Sequence, residues 1–371
     1  MGNKIKLAYI FEPYPIFYQP YITHLINKLK QYENIDLSLK AFDNVGESNE
    51  NIEFFPTYRT RNFFKLRYLL SNFYKTLTYP EIRMLNYDII HLQHSFLFNK
   101  INGLLMLPEA KRPKIVITLR GNDTYIKPWI SQEWIDFYKK GSENVDAFIT
   151  MSNHQKQYLQ KWGVTKDKIH VIPISLSENA ESKPKYPNTK ELRIVSIFRM
   201  QWEKNIDGNL RLIQQLKARR IPVKYDIYGD GRDIGQLFYL IDKYNLGNCV
   251  TIHGRIKNEL IKANLPNYDF ILQLSHSESL GMTVIEAQAI GVPGIVSNVG
   301  GLMEIIKEGE NGILVKDNDM GNAVNSIIKL WQSPESYHKH SENAIVNAKE
   351  NFNLNGEADK LIDLYQNLLK K

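Results

Sequence analysis

The stretch FILQLSHSESLGMTVIEAQAIGVPGIVS, residues 270–297, contains the order of elements that decides the fold. An apolar run typical of a strand, FILQLS, is followed by a polar turn. A helical segment then begins near Gly281 or Met282 and extends to Ile290. A second apolar run, VPGIVS, follows it. Two strands joined through a helix are normally parallel, with the helix packed over their sheet, so this stretch predicts a β-α-β unit.

The same alternation is found along the rest of the chain. Runs typical of buried strands are KIKLAYIF, NIDLSLKAF, YDIIHLQ, KIVITLRG and DAFITMS in the first half, and LRIVSIF, KYDIYGDG and CVTIHG in the second. Helical segments separate them. This order predicts two Rossmann-like, doubly wound α/β domains that face each other across a cleft at the carboxyl ends of their strands, where ligands usually bind.

Composition indicates where the domains end. A chain of 371 residues suits two domains of about 150 to 200 residues each. Residues 177–191, SENAESKPKYPNTKE, are polar and contain proline, which predicts a linker. We therefore expect domains over residues 1–176 and 192–350, and a final amphipathic helix over residues 351–371.

The overall composition excludes several classes of protein. Apolar residues make up 43% of the chain and charged residues 23%, which is typical of globular proteins. No apolar run approaches the roughly 18 residues of a transmembrane helix, and the apolar run at the N-terminus is too short for a secretory signal. The single cysteine, Cys249, cannot form an internal disulfide, which fits a reducing cytoplasm. We expect a cytoplasmic protein.

The net charge of +7 lies entirely in the first half of the chain. Residues 1–176 hold 23 Lys and Arg against 16 Asp and Glu, whereas residues 177–371 hold 24 of each kind. A helical projection of the basic segment 58–79 places the following side chains on one face: Arg61, Lys65, Tyr68, Asn72, Lys75 and Tyr79. Such a face fits an anionic membrane surface, and the alternative is a solvated basic face over an ordinary apolar stripe.

Two glutamates, Glu278 and Glu286, flank the turn at which the predicted helix begins. The free N–H groups and the positive dipole end of a helix start favour a phosphate. Glu286 lies roughly 6 Å further along the axis, where a carboxylate can accept hydrogen bonds from both ribose hydroxyls. Glu278 would face the other side of the phosphate, where a sugar would lie. A loop glutamate and a helix glutamate in solvent are the alternative.

Further candidates follow the other strands of the second domain. Arg199 and Lys204 come after LRIVSIF, and two cations there could neutralise a diphosphate, although they could also be ordinary surface bases. The turn Gly229-Asp230-Gly231 allows backbone to approach a ligand. The pair Gly300-Gly301, before a predicted helix, is a second candidate anion nest. Because all these positions are at carboxyl ends of strands of one domain, together they favour a nucleotide-sugar site.

The order of the motifs FRMQWEKN, YDIYGDGRD, CVTIHGRI, SHSESLGMTVIEAQAIGVPGIVSNVGGLMEII and GENGILV resembles the retaining group 1 (family 4) glycosyltransferases, which have the two-Rossmann GT-B fold. The resemblance covers nearly all of residues 145–365. Its most specific element is the E-x7-E motif with the A-x-G-x-P and GG-x-x-E that follow. It implies that the C-terminal helix crosses back to the first domain.

The resemblance also implies roles for individual residues. Arg199 and Lys204 would bind the donor diphosphate, Glu278 the hydroxyls of the transferred sugar and Glu286 the nucleotide ribose. The other donor-binding positions would be Gly229, Gly254, Arg255, Ser279, Leu280, Gly281, Met282 and Thr283, with Gly254 and Arg255 beside the base. Members of the family need no metal at this site, so neither a metal nor a cofactor is expected besides the nucleotide-sugar donor.

The first domain resembles the family less closely. Its usual glycine-rich loop is replaced by EPYPIFYQPYI, where Tyr14 and Tyr18 could stack on a sugar or simply pack at the strand end. Arg120 stands where the family often has histidine, and it cannot act as a general base. Asp123 is retained. His94 is a candidate acceptor contact, whereas His91 is expected in the core.

These features predict a retaining glycosyltransferase that transfers a sugar from a nucleoside-diphosphate sugar to a saccharide or lipid-linked acceptor, in cell-surface polysaccharide or glycolipid biosynthesis. The nucleotide (UDP, GDP or ADP) is left open. One alternative is a sugar-nucleotide epimerase of the UDP-N-acetylglucosamine 2-epimerase type, which would need no acceptor. A nucleic-acid-binding protein is a weaker alternative, because no RNA-binding motif is present. A binding protein that has lost catalysis is disfavoured by the two glutamates and two cations.

Overall fold

The computed structural model describes residues 4–15, 20–47, 50–55, 77–176, 182–316 and 319–370. The chain divides into two compact units. The N-terminal unit comprises Met1–Ser175 together with Leu354–Lys371, and the C-terminal unit comprises Leu176–Asn353. Each unit contains one parallel sheet covered by helices, so the predicted pair of Rossmann-like α/β domains is confirmed.

The sheet of the N-terminal unit is built from seven parallel strands. These are β1 (Ile5–Tyr14), β2 (Ile35–Asn44), β3 (Ile52–Phe54), β4 (Ile89–Leu92), β5 (Lys114–Thr118), β6 (Ala147–Thr150) and β7 (Ile169–Val171). Their order is β3-β2-β1-β4-β5-β6-β7. The helices between them are α1 (Pro20–Leu29), α2 (Tyr79–Met84), α3 (Asn102–Leu105), α4 (Asn122–Tyr125), α5 (Lys127–Ile130), α6 (Gln132–Lys139) and α7 (Asn153–Lys161). Short 3₁₀ turns lie at Ser95–Lys100, Glu109–Lys111, Gly141–Asn144 and Lys166–Lys168.

The sheet of the C-terminal unit has six parallel strands. These are β8 (Leu192–Ile197), β9 (Val223–Tyr228), β10 (Val250–Gly254), β11 (Phe270–Gln273), β12 (Gly294–Ser297) and β13 (Gly312–Val315). Their order is β10-β9-β8-β11-β12-β13. The helices are α8 (Ile206–Ala218), α9 (Ile234–Lys243), α10 (Asn258–Asn264), α11 (Met282–Gln288), α12 (Leu302–Ile305), α13 (Met320–Trp331) and α14 (Pro334–Asn351), with 3₁₀ turns at Trp202–Lys204 and Leu265–Asn267.

Each sheet reverses its strand order once, between β1 and β4 in the first and between β8 and β11 in the second. The strands that follow the reversal points, β4 and β11, are buried along their whole length. In doubly wound sheets the loops that leave the strands at such a switch point form the ligand site. The C-terminal unit therefore places its site at the ends of β8 and β11.

The C-terminal helix, α15 (Leu354–Lys370), belongs to the N-terminal unit, as the family resemblance implies. Its apolar face is buried in that unit, and the hydroxyl of Tyr32 donates a hydrogen bond to Asp359 Oδ1 at 2.6 Å. Near its start, Glu357 Oε2 accepts hydrogen bonds from the backbone N–H (2.8 Å) and the hydroxyl (2.5 Å) of Ser175. Burial raises the pKa of the Glu357 carboxyl.

Residues 182–191, predicted as part of a linker, are instead anchored to the C-terminal unit. The backbone N–H of Lys185 donates to Ser341 Oγ (2.9 Å), and that of Asn188 donates to Asp269 Oδ1 (2.7 Å). Burial lowers the pKa of the Lys185 ammonium to about 8. Side chains of the C-terminal unit thus bind part of the backbone of this polar segment.

Among the helices in the described ranges, none is long and apolar enough to cross a membrane. Most of the basic segment predicted to face a membrane, residues 58–76, lies outside the described residues.

Candidate active site

The loops that follow β8 and β11 bring the centre of the candidate site together. These strands are parallel neighbours at the switch point of the second sheet. Lys204 ends the 3₁₀ turn after β8, and Glu278 lies in the loop between β11 and α11. Their side chains form an ion pair in which they are only 17% and 15% exposed. Two residues that the sequence places 74 positions apart are therefore in contact.

Gln273, the last residue of β11, connects this ion pair to the first turn of α11. Its Nε2 donates to Glu278 Oε2 (2.5 Å), and its Oε1 accepts from the hydroxyl of Thr283 (3.0 Å). The side chain is 3% exposed. Gln273 is not among the residues predicted from the sequence, although a lone amide at the end of the apolar run FILQ is a signal, because a buried amide must find partners.

A second missed residue, Asn209 of α8, joins the two loops by their backbones. Its Nδ2 donates to the carbonyl oxygens of Lys204 (2.9 Å) and Asn205 (2.8 Å). Its Oδ1 accepts from the N–H of Leu274 (3.1 Å), directly after β11. One buried amide thus fixes the Lys204 loop against the end of the neighbouring strand.

Gly300 supports the Glu278 loop through close backbone contact. It has a φ of +56°, and a Cβ added to it would lie 2.0 Å from the carbonyl oxygen of Glu278. The N–H of Gly301 donates to that same oxygen at 3.0 Å. Only glycine fits this position without displacing the loop. The Gly300-Gly301 pair, predicted as an anion nest, therefore serves to hold the backbone at Glu278.

Backbone packing also accounts for Gly229. Its φ is +130°, and an added Cβ would lie 1.9 Å from the carbonyl oxygen of Phe198. Its N–H donates to the carbonyl oxygen of Gly254 at 2.8 Å. Arg255, which follows, pairs with Asp230 at 3.4 Å on the exposed surface. The turn thus joins the loops after β8, β9 and β10, and its contact with a donor stays a prediction.

Glu286 lies on α11 one turn beyond its start, with its side chain 20% exposed. The ammonium of Lys262, from α10, lies 3.9 Å from its Oε1. Burial raises the pKa of the Glu286 carboxyl, and the charge of Lys262 opposes this effect. The placement matches the predicted position of a ribose acceptor, and the contact itself stays a prediction.

The remaining residues predicted on the donor side differ from one another in exposure. Arg199 is exposed, and within the described ranges its side chain forms no ion pair, so it does not join the Lys204 network. Leu280 is buried, so a ligand could reach it only through its backbone. Ser279 and Met282 are half-buried in the loop and first turn beside it. No cluster of three metal-ligating side chains occurs in the part of the chain that the structure describes.

On the acceptor side, Arg120 follows β5 and contacts the end of β4. Its guanidinium donates to Gln93 Oε1 (3.1 Å) and lies 5.4 Å from the ring centre of Tyr21. Asp123 accepts hydrogen bonds from the backbone N–H of Arg120 (3.1 Å) and the hydroxyl of Ser95 (2.5 Å). Burial raises the pKa of the Asp123 carboxyl. Asp123 therefore shapes the Arg120 loop, and its contact with an acceptor stays a prediction.

The aromatic candidates of this unit differ in exposure. Tyr14 is 2% exposed and packs edge-on against Phe11, with 4.9 Å between ring centroids. This arrangement favours the alternative in which Tyr14 packs at the strand end, and its contact with an acceptor stays a prediction. Tyr18 lies outside the described residues. His94 stacks on Phe96, and burial lowers its pKa to about 3, so its imidazole is neutral at physiological pH.

Two family models together match most of the chain. Residues 19–175 match the family model described as Glycosyltransferase Family 4, and residues 177–347 match that of Glycosyl transferases group 1. The chain belongs to the group 1, family 4 glycosyltransferases. Its two parallel-sheet units are accordingly those of the GT-B fold.

Individual relatives of this glycosyltransferase have low sequence identity, but their matches cover half of the chain or more. An uncharacterized glycosyltransferase of Methanocaldococcus jannaschii is 27% identical over 335 residues, 89% of this chain and 90% of the relative. An Escherichia coli K12 protein, WcaL, named as a colanic acid biosynthesis glycosyltransferase, is 26% identical over 219 residues, 56% of this chain and 53% of WcaL. The crystal structure of Anabaena HepE in complex with UDP and glucose has a TM-score of 0.75 at 15% identity, covering 98% of this chain and 100% of HepE. Relatives of this glycosyltransferase thus include a protein of polysaccharide biosynthesis.

Proposed function

We propose that this glycosyltransferase transfers a sugar from a nucleoside-diphosphate sugar to an acceptor hydroxyl with retention of the anomeric configuration. The observation that supports this most directly is the ion pair of Lys204 and Glu278, held by Gln273 at the switch point of a Rossmann-like sheet. Glu278 would accept hydrogen bonds from hydroxyls of the transferred sugar. Lys204 and the exposed Arg199 would stabilise the negative charge that develops on the leaving diphosphate.

In this proposal the acceptor oxygen attacks the anomeric carbon from the face that the diphosphate leaves. The bond between the anomeric carbon and the phosphate oxygen breaks as the new glycosidic bond forms, and the departing phosphate oxygen takes the proton of the acceptor hydroxyl. No general base of the protein is required, which is compatible with Arg120 where the family often has histidine. Because Lys204 and Arg199 supply positive charge at the diphosphate, we also propose that the transfer needs no metal ion.

The relatives support a choice of donors and acceptors to test. HepE was crystallised with UDP and glucose, so UDP-hexoses are the first donors to test, followed by GDP- and ADP-hexoses. WcaL is named for colanic acid biosynthesis, which favours a saccharide or lipid-linked saccharide of a cell-surface polysaccharide as the acceptor. Release of nucleoside diphosphate from each donor, measured with and without an acceptor mixture, separates transfer from an epimerase activity that consumes donor alone.

The decisive experiment compares Lys204→Ala and Glu278→Gln with the wild type. We expect both to lower kcat/KM by about 100-fold or more, with the circular dichroism spectrum unchanged. Lys339→Ala is a matched control, because Lys339 also pairs with a glutamate but at an exposed position of α14. Near-normal turnover of both site variants would refute the site. NMR of the product anomer tests retention, and activity in EDTA tests metal independence.

We further propose a cytoplasmic protein that docks on the inner face of the membrane through segment 58–79, whose composition is basic and aromatic. Charge reversal by Lys65→Glu together with Lys75→Glu should abolish sedimentation with vesicles that contain anionic lipid. Sedimentation equal to that of the wild type would contradict the proposal.

A further inference from the structure

Gln273 is a polar side chain at a position where the sheet is otherwise apolar. It ends β11, between β8 and β12 in the middle of the second sheet, after three fully buried apolar residues, Phe270, Ile271 and Leu272. An amide in such a place disfavours folding unless its donors and acceptor are all paired. The partners of the Gln273 amide therefore decide why a glutamine is tolerated at this position.

All the polar atoms of this amide have partners in the candidate site. Nε2 donates to Glu278 Oε2 at 2.5 Å and lies 3.3 Å from Ser275 Oγ, and Oε1 accepts from Thr283 at 3.0 Å. The orientation of the amide is determined by chemistry, because an ionised carboxylate only accepts. The atom beside Glu278 Oε2 must therefore be the nitrogen of Gln273.

This orientation decides which atoms the site presents to a ligand. Lys204 and Gln273 both donate to the same oxygen of Glu278, Oε2, and within the described ranges no hydrogen bond reaches Oε1. The hydroxyl proton of Thr283 is engaged by Gln273, so its oxygen offers only lone pairs. Both atoms can accept hydrogen bonds and neither can donate one. They are thus complementary to the hydroxyl groups of a sugar and not to the oxygens of a phosphate.

We propose that Gln273 is a positioning residue that selects the donor sugar, because it directs Glu278 Oε1 and Thr283 Oγ1 toward hydroxyls of the transferred ring. This inference rests on the proposed function and deepens it. Selectivity arises because a sugar whose hydroxyl points elsewhere leaves a desolvated acceptor oxygen unpaired, whereas the matching epimer pairs it. Contact with the diphosphate then falls to other groups, the Lys204 ammonium and backbone N–H groups.

Two variants test the proposal. Gln273→Met nearly keeps the shape of the side chain but removes all three of its hydrogen bonds, to Glu278, Ser275 and Thr283. We expect it to raise KM for the preferred donor and to reduce the kcat/KM ratio between two epimeric donors by about tenfold, the size expected for one or two lost hydrogen bonds. The affinity for the free nucleoside diphosphate, measured by calorimetry, should stay unchanged. A purely structural disturbance would weaken sugar and nucleotide binding together.

Gln273→Glu keeps the shape but places a second carboxyl against Glu278. Two carboxyls at this distance do not both ionise readily, so they share a proton. We expect the activity of this variant to fall as pH rises, because the two carboxyls then lose their shared proton. The pH–rate profile of the wild type should lack this decline. This measurement remains decisive if the methionine variant folds poorly.

Gln288→Met serves as the matched control, since Gln288 is a buried glutamine of the same unit that bonds Asn347 at 2.8 Å away from the ion pair. It should leave donor selectivity unchanged. Unchanged donor selectivity in Gln273→Met, or an unchanged pH profile in Gln273→Glu, overturns the inference. If Lys204→Ala and Glu278→Gln both leave transfer intact, the proposed site fails, and if the wild type transfers no sugar from any donor, the proposed function fails. Neither result depends on Gln273, so these failures are distinguishable from failure of the inference.

Discussion

The phenolic oxygen of Tyr365 lies 2.7 Å from Nδ1 of His91, which joins the C-terminal helix to the centre of the first sheet. The same oxygen is 3.0 Å from the hydroxyl of Tyr9, and Nε2 of His91 is 2.6 Å from Thr118 Oγ1. All four side chains are buried. Because each group in this series depends on the next for its hydrogen bond, the last helix of the chain is an integral part of the first core.

Tyr365→Phe should therefore destabilise the N-terminal unit. The change keeps the ring but leaves Nδ1 of His91 and the hydroxyl of Tyr9 without their shared partner, which costs about 1–3 kcal/mol of unfolding free energy. Urea denaturation followed by circular dichroism measures this. Tyr239→Phe is the control, because Tyr239 is 65% exposed and its replacement should change stability by about 0.5 kcal/mol or less. Equal effects of the two variants would show that the series of bonds contributes nothing.

His91 should make stability depend on pH. Burial, aided by the charge of Arg120, lowers the pKa of His91 to about 3 in the folded protein, against about 6.5 in an unfolded chain. Between these values the unfolded state binds the additional proton, so stability falls as pH falls below about 6.5, by up to about 1.4 kcal/mol per pH unit. His91→Asn should show a shallower loss between pH 7 and pH 5 in urea denaturation. Parallel slopes for the two proteins would contradict this assignment.

The alternation of strands and helices predicted the two sheets correctly because it is a local property of the sequence. Each apolar run, such as IIHLQ or FILQLS, can be recognised as a buried strand from the residues within about ten positions of it. The pairing of Lys204 with Glu278 could also be anticipated, since both positions follow strands that meet at one edge of a sheet.

The parts of the site that could not be predicted depend on how separate loops pack. The clamp from Asn209 to Leu274 joins residues 65 positions apart, and nothing in either local sequence specifies it. The sequence predicts an anion nest at Gly300. The close contact of this residue with the Glu278 carbonyl cannot be read from the sequence, because it exists only in the folded chain. The sequence leaves open whether Tyr14 stacks on a sugar or packs at the strand end, because the burial of its ring depends on Phe11 and the surrounding core, which periodicity does not describe.

Asn209→Leu tests the clamp between the two loops. The variant leaves the N–H of Leu274 and the carbonyl of Lys204 without their buried partner, so we expect a loss of about 1–3 kcal/mol in unfolding free energy. Because Lys204 is then held less firmly, kcat/KM should also fall by about tenfold. Asn343→Ala, which removes one exposed hydrogen bond to the carbonyl of Glu310, should change neither quantity measurably. Wild-type kinetics in Asn209→Leu would mean that the ion pair positions the Lys204 loop by itself.

Gly300→Ala tests whether the backbone at Glu278 must stay where it is. A Cβ at residue 300 would lie 2.0 Å from the Glu278 carbonyl oxygen, so the Glu278 loop must move. A movement of about 1 Å at such a site can reduce turnover by about 100-fold. The substitution also strains the backbone, because φ is +56°. Gly309→Ala separates the two effects: Gly309 has a φ of +76°, but its added Cβ meets nothing within 4 Å. We expect Gly309→Ala to cost about 1–2 kcal/mol of stability with normal kinetics, and Gly300→Ala to lose both stability and transfer. If the two variants were equally active, contact with Gly300 would not be what positions Glu278.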